Sequence, residues 1–168
     1  MPQYRSFVPE GGLLPPGEFY MPRLGRLNMG PASPELMERF VARFRALFDA
    51  EIYVPKVLRV TSFEKEVADC IHIVTLDKGT GAWKFDSFAP ACATRLGVDL
   101  SGAEVIDERF EGYGSRFSAE LLKVTQRESP VYIGMACYEN NRRVLSHHMF
   151  IPASNNGRRI TQCIIMSA

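Results

Sequence analysis

What this chain has least of is a surplus of either charge: 20 Lys and Arg against 19 Asp and Glu leave a net +1. With no basic block and no acidic tail, the electrostatic footprint of a nucleic-acid binder is missing. No apolar run approaches the about 18 residues that a membrane span requires. The first twelve residues lack a charged segment followed by a hydrophobic one, so no secretory signal is expected. Cysteine occurs four times, at Cys70, Cys92, Cys137 and Cys163, widely spaced and never as C-x-x-C. That spacing excludes the common zinc and dithiol motifs and reads as buried, reduced thiols in a cytoplasmic protein. Gly79-Thr80-Gly81 and Gly112-Tyr113-Gly114 are too short for phosphate loops and lie outside a strand–loop–helix setting. Repeats and low-complexity segments are absent. What is present is apolar: a 46% hydrophobic and 11% aromatic share over 168 residues, sufficient for one packed domain plus an extension.

Three segments follow. Residues 1–32 hold Pro2, Pro9, Pro15, Pro16, Pro22 and Pro31, a density that excludes a long helix and predicts an irregular arm lying on the domain or on a partner, or else disordered. Residues 33–63 form an amphipathic helix and a connector. Ser33-Pro34-Glu35 is a helix start, with Ser33 as N-cap and Pro34 at the first helical position. Met37, Phe40, Val41, Phe44, Leu47 and Phe48 then recur at spacings of three and four, and Glu35 and Arg39 form a supporting pair. That stripe needs an apolar surface, either its own sheet or a second copy, and it is the candidate homodimer interface. In the connector, Ile52-Tyr53-Val54 reads as extended before Pro55, and 63–67 as a helical turn.

Residues 64–168 read as an α+β domain. Strands are expected over 68–77 and 83–89, joined by the turn Lys78-Gly79-Thr80-Gly81. Pro90 to Leu96 makes one or two helical turns closed by Gly97. Glu111-Gly112-Tyr113-Gly114 is too glycine-rich for helix interior, and a helix capped by Ser115 or Ser118 follows until Pro130. Segments 131–138, 144–151 and 159–166 are three strands of an antiparallel meander, turned at Glu139-Asn140-Asn141 and Asn155-Asn156-Gly157. Both faces of these strands are partly apolar, so each needs a cover. One is the central helices, and the Phe40/Phe44/Phe48 helix is available for the other.

Trp83-Lys84-Phe85-Asp86-Ser87-Phe88 followed by Arg95-Leu96-Gly97-Val98-Asp99-Leu100-Ser101-Gly102 resembles the second strand and following turn of Per-Arnt-Sim (PAS) sensor domains. The helix at 115–128 with Ser129-Pro130-Val131-Tyr132, and Phe150-Ile151-Pro152-Ala153-Ser154-Asn155-Asn156-Gly157, are similar to the same family, most of all to small stand-alone members common in alphaproteobacteria. The resemblance covers about the last hundred residues. It implies a five-stranded antiparallel sheet with helices on one face, a ligand or cofactor cavity between them, an N-terminal helix that often dimerises, and a role in signal transduction. The haem-ligating histidine is missing from 108–129, and the Asn-Cys-Arg-Phe run of flavin photoreceptors is missing altogether. The cofactor is therefore unknown.

His147 and His148 are adjacent in a strand, so their rings point to opposite faces. A hydrogen-bonded structural role is the more economical reading for either; His147 is the pocket candidate. Cys70, His72 and Cys163 with one of that pair make a zinc site on paper only, since no ligand spacing supports it. Asp77 and Asp107 are explained by the turn and the cap they start, and Asp86 by a solvent-side position. The pocket is expected from Phe85, Phe88, Leu96, Phe117, Leu121, Tyr132 and Phe150, most of them core. The leading reading is a non-enzymatic sensory or adaptor protein that binds a small molecule or a signalling protein. A small cofactor-independent enzyme of isomerase or dehydratase type, working in an apolar pocket, is the alternative, and a purely structural dimerisation module is a third.

Overall fold

A strand buried at every position must lie mid-sheet with both faces covered, and Gln162–Ser167 is such a strand. The computed structural model describes residues 13–21, 27, 29–30, 33–48 and 56–168. In it, β1 (Glu18–Tyr20) and β2 (Val57–Arg59) form a small antiparallel pair, and β3 (Ile71–Leu76), β4 (Trp83–Ser87), β5 (Val131–Glu139), β6 (Arg142–Ala153) and β7 (Gln162–Ser167) form one antiparallel sheet in the order β4-β3-β7-β6-β5. β7 is its centre. The β5–β6 turn takes positive φ at Asn140 (49°) and Asn141 (63°), the conformation that fits the right-handed twist of a tight hairpin and that asparagine tolerates. Between β3 and β4 the register slips at Ile73/Val74, a bulge that re-aims nearby side chains.

Alternation sorts the sheet into two faces. The inner face, with Val74, Phe85, Phe150, Cys163 and Ile165, packs against α3 (Pro90–Leu96), α4 (Tyr113–Arg127) and the segment between them. α3 stops at Gly97, whose φ of 75° is the left-handed cap expected of glycine. The outer face, with Ile71, Met149, Ile151, Ile164 and Met166, packs against α1 (Glu35–Leu47) and, beside it, α2 (Lys65–Ala68). Phe40 stacks on Phe63 at 4.9 Å between ring centroids. Each such fully buried phenylalanine contributes about 1.5–3 kcal/mol from burial. The architecture is the PAS-like α+β fold expected, with the aromatic helix as the second cover of the sheet.

Several local expectations are corrected. Met37, Phe40, Val41, Phe44 and Phe48 are each at most 2% exposed in the single chain, and Leu47 is half-buried against the same core. The stripe is therefore core, and a homodimer interface built on it has no free surface. Pro34, not Ser33, caps α1; the Ser33 hydroxyl donates to Gly30 O at 2.8 Å instead. Arg39 ignores Glu35 and joins Glu64 (2.6 Å) and Glu66 (2.9 Å), tying α1 to the start of α2. The arm is not wholly irregular, because β1 pairs with β2. Most of residues 1–32, and Ile52-Tyr53-Val54, lie outside the described residues. α4 begins at Tyr113, so Gly114 sits in its first turn and neither Ser115 nor Ser118 caps it. The reason is steric: a Cβ on Gly114 would lie 2.5 Å from the carbonyl oxygen of Val105, so only glycine lets this turn approach the preceding loop.

Candidate functional site

The inner face gathers the aromatic residues. Phe85, Phe88, Phe110 and Phe117 surround His72 of β3 with ring centroids 4.7–6.2 Å away, the first two tilted and the last two edge-on. His72 is fully buried. Its Nδ1 accepts the Ala89 backbone N–H at 2.9 Å, so the neutral ring carries its proton on Nε2, which has no hydrogen-bond partner among the described residues. Burial, reinforced by the nearby His148 ring and the Arg95 charge, pushes the His72 pKa down to about 3.

A polar chain crosses the same layer. His148 of β6 is held by the Ser146 hydroxyl at Nε2 and the Ser167 hydroxyl at Nδ1, both at 2.8 Å. Burial again lowers its pKa, to about 3. Glu139, at the end of β5 and 4% exposed, takes the Arg95 guanidinium on both oxygens (2.9 and 2.8 Å). It also accepts the Tyr113 hydroxyl at 2.6 Å. Burial and this bond raise the Tyr113 pKa above the usual phenol range. A buried carboxylate is tolerable only when paired and hydrogen-bonded, and Glu139 is both. Arg95 lies on α3, Tyr113 on α4 and Glu139 at the β5–β6 hairpin, so one charge pair joins three elements.

Of the pocket candidates, Phe85, Phe88, Phe117, Leu121 and Phe150 lie together in this inner core, and Leu96 packs against its margin. Tyr132 and His147 do not join them. Both face outward, where the Tyr132 hydroxyl and His147 Nδ1 are 2.7 Å apart and the Ser33 hydroxyl is 3.3 Å from Tyr132. The inward histidine is His148. The signal was available in the strand alternation: His148 shares parity with Phe150, and His147 does not. Tyr132 likewise lies opposite outward Met149 in the β5–β6 register. His72, Phe110, Tyr113, Glu139 and Arg95 carry no pocket signal in the sequence; Glu139 falls in a turn motif and Tyr113 in a glycine-rich one.

Cys70 packs in the outer core and Cys163 in the inner one, so the paper zinc site is not assembled. No cluster of three His, Cys, Asp or Glu able to hold a metal occurs among the described residues. Asp77 receives Gly79 N–H and Asp107 receives Arg109 N–H, both as expected. Among the described residues, no helix is long and apolar enough to cross a membrane. Cavities occur on the outside: one of about 380 Å³ under the arm, lined by Leu14–Phe19, Ile73, Asp86 and Gln162 among others, and one of about 240 Å³ on the outer β5–β6 surface.

No family model matches the chain, and no curated protein matches it. Among solved structures, a variant of the fungal photoreceptor VVD superposes with a TM-score of 0.49 at 10% identity, covering 84% of this chain and 97% of that one. The photo-excited blue-light photoreceptor Vivid gives 0.47 at 11% identity, covering 84% and 99%. A fungal LOV domain photoreceptor gives 0.44 at 10%, covering 80% and 91%. Likeness at this level carries no argument about the chain, whose fold rests on its own strand order.

Proposed function

We propose that the chain is a PAS-type sensory or adaptor module, binding a small molecule or a signalling protein rather than catalysing a reaction. One observation carries this reading: the interior titratable groups are engaged with other parts of the fold. Both oxygens of Glu139 are taken by Arg95 and Tyr113, both nitrogens of His148 by serines, and His72 is walled in by four phenylalanines. General acid–base work needs a group within reach of a substrate proton; Glu139 and His148 are occupied by the fold, and His72 is closed off by its aromatic wall. A linkage spanning α3, α4 and the β5–β6 hairpin suits a module that passes a change at one element to the others. A two-state element biased from outside is what signalling requires.

A homodimer belongs to the same proposal, moved from α1 to the outer surface of β5–β6. There Leu145 is 69% and Tyr138 64% exposed, and β5 is an edge strand with no further strand beside it among the described residues. An unpaired edge with an apolar face suits antiparallel pairing with the same edge of a second copy, an isologous contact. Native mass spectrometry of freshly purified protein, with hydrogen exchange before and after unfolding and refolding, tests both parts. The sensory reading expects a retained small molecule or partner whose loss speeds exchange in α3 and α4. A monomer with no retained mass and unchanged exchange refutes it.

A further inference from the structure

The turn between β6 and β7 carries Asn155-Asn156-Gly157, and no other asparagine of the chain precedes a glycine. In an Asn-Gly pair the asparagine side chain is open to attack by the next backbone nitrogen, because glycine has no Cβ to crowd the approach. The Gly157 amide gives its proton to hydroxide, and its nitrogen bonds to Asn156 Cγ. A five-membered imide closes as the Cγ–Nδ2 bond breaks, and Nδ2 takes a proton from water and leaves as ammonia. Water then opens one imide carbonyl or the other, giving aspartate or isoaspartate. No oxidant or reductant takes part.

In the folded chain one residue holds both reacting groups. Ser154 is fully buried. Its hydroxyl accepts the Gly157 N–H at 2.9 Å and the Asn156 N–H at 3.2 Å, and it donates to Asn156 Oδ1 at 2.9 Å. A hydroxyl has one proton and two lone pairs, so all three are in use. Oδ1 also accepts the Arg158 N–H at 3.0 Å, which fixes the carboxamide from a second side. Gly157 is buried, with a φ of 69°. Attack therefore requires the Gly157 N–H to leave Ser154 and the carboxamide to leave Arg158. The arm braces this clamp. Tyr20 N–H donates to Ser154 O at 2.8 Å, Ser154 N–H to Tyr20 O at 3.0 Å, and Leu14 N–H to Asn155 O at 3.1 Å. Asn156 is half-buried, so hydroxide and water reach it once the clamp opens.

We infer that Asn156-Gly157 is a modification site: an imide-forming turn held shut by Ser154, whose conversion to isoaspartate releases the arm. Isoaspartate routes the main chain through Cγ and lengthens it by one carbon between residues 156 and 157. The turn then no longer sets both N–H groups on the Ser154 hydroxyl, and the bonds from Tyr20 and Leu14 loosen with it. Aspartate keeps the ordinary backbone and an acceptor oxygen in place of Oδ1, so it leaves the clamp closed. The site is independent of the sensory reading and of the inner core.

The test is peptide mapping by mass spectrometry of the full chain aged at mildly alkaline pH, with isoaspartate at residue 156 followed in time. The folded protein should convert at least about tenfold more slowly than the same chain in guanidinium, the factor that one or two net hydrogen bonds supply. Ser154→Ala should raise the folded rate about three- to tenfold. Hydrogen exchange reads the second half. Protein carrying isoaspartate should exchange the Tyr20 and Ser154 amides at least about tenfold faster than the parent, and Asn156→Asp should exchange them as the parent does. Equal conversion with and without denaturant, or a folded Ser154→Ala no faster than the parent, would overturn the clamp. Parent-like exchange in the isoaspartate form, or fast exchange in Asn156→Asp, would overturn the release of the arm. Should Ser154→Ala not fold, the denaturant comparison and the exchange of the aged parent still decide.

Discussion

Two histidines buried as neutral rings make acid the weak direction for this fold. His72 and His148 are held down from 6.5 to about 3 by burial. The unfolded chain binds a proton at each near pH 6.5, while the native state refuses it until about pH 3. Stability is thus fully present above pH 6.5 and falls as pH drops through the window down to 3. At pH 5, about 1.5 units below the unfolded value, each histidine has removed roughly 2 kcal/mol, or roughly 4 together. That is a large share of a typical domain stability of about 5–15 kcal/mol. Between pH 7.5 and 5 most carboxylates remain ionised in both states, so the histidines dominate this interval. Urea denaturation across it, on the parent, His72→Phe and His148→Gln, reads the effect. His72→Phe also orphans the Ala89 N–H, which lowers stability by about 1–3 kcal/mol at every pH; the slope, not the level, is diagnostic. Each variant should lose roughly 2 kcal/mol less than the parent between the two pH values. Equal losses in all three proteins, or a parent loss below about 1 kcal/mol, would refute the placement of these rings.

Other expectations follow from single contacts. Phe44→Ala should lower stability by about 3–5 kcal/mol by emptying the outer core, without altering native mass; a folded variant of full stability and halved mass would restore α1 as the dimer contact. Gly114→Ala should cost at least about 2 kcal/mol, since the new Cβ meets backbone at Val105 and not a flexible side chain; thermal unfolding within a degree of the parent would show that the loop yields. A double-mutant cycle between Arg95→Met and Glu139→Gln should give a coupling of about 1–2 kcal/mol, at the lower end for a charged hydrogen bond because Arg95 is half-exposed; additivity would show that the pair is not joined. Leu145→Glu should leave stability within about 0.5 kcal/mol, as an exposed site does, yet abolish self-association in sedimentation velocity. An unchanged dimer would remove the β5–β6 edge from the proposal.

The fold was legible where period and punctuation agree. Pro90 and Gly97 bracket α3 at the expected residues, and Asn140-Asn141 turns the hairpin where asparagine accepts positive φ. The two-sided apolar pattern of the late strands demanded a second cover, and the phenylalanine stripe supplied it. Local signals failed where a distant contact outweighed them. Ser33 is a sound cap by composition, but its hydroxyl is drawn to Gly30 and Tyr132. Gly114 argued against a helix by propensity, and the approach to Val105 overrode that preference.

The site was half-legible for a different reason. Alternation tells which residues share a face, and its consistent use places His148 with Phe150 and His147 with Tyr132. It does not tell how a bulge redirects a side chain. Asp86 read as solvent-facing because it alternates with Phe85, and it is exposed. The slip at Ile73/Val74 nonetheless turns it toward Thr75, and through Thr75 it aligns the carboxamide of a strand that β4 never touches. Sequence order separates Thr75 from Gln162 by 87 residues, and only the sheet order β4-β3-β7 makes the three consecutive. A row of this kind exists only once register is fixed, so it is a property of topology and not of any local motif.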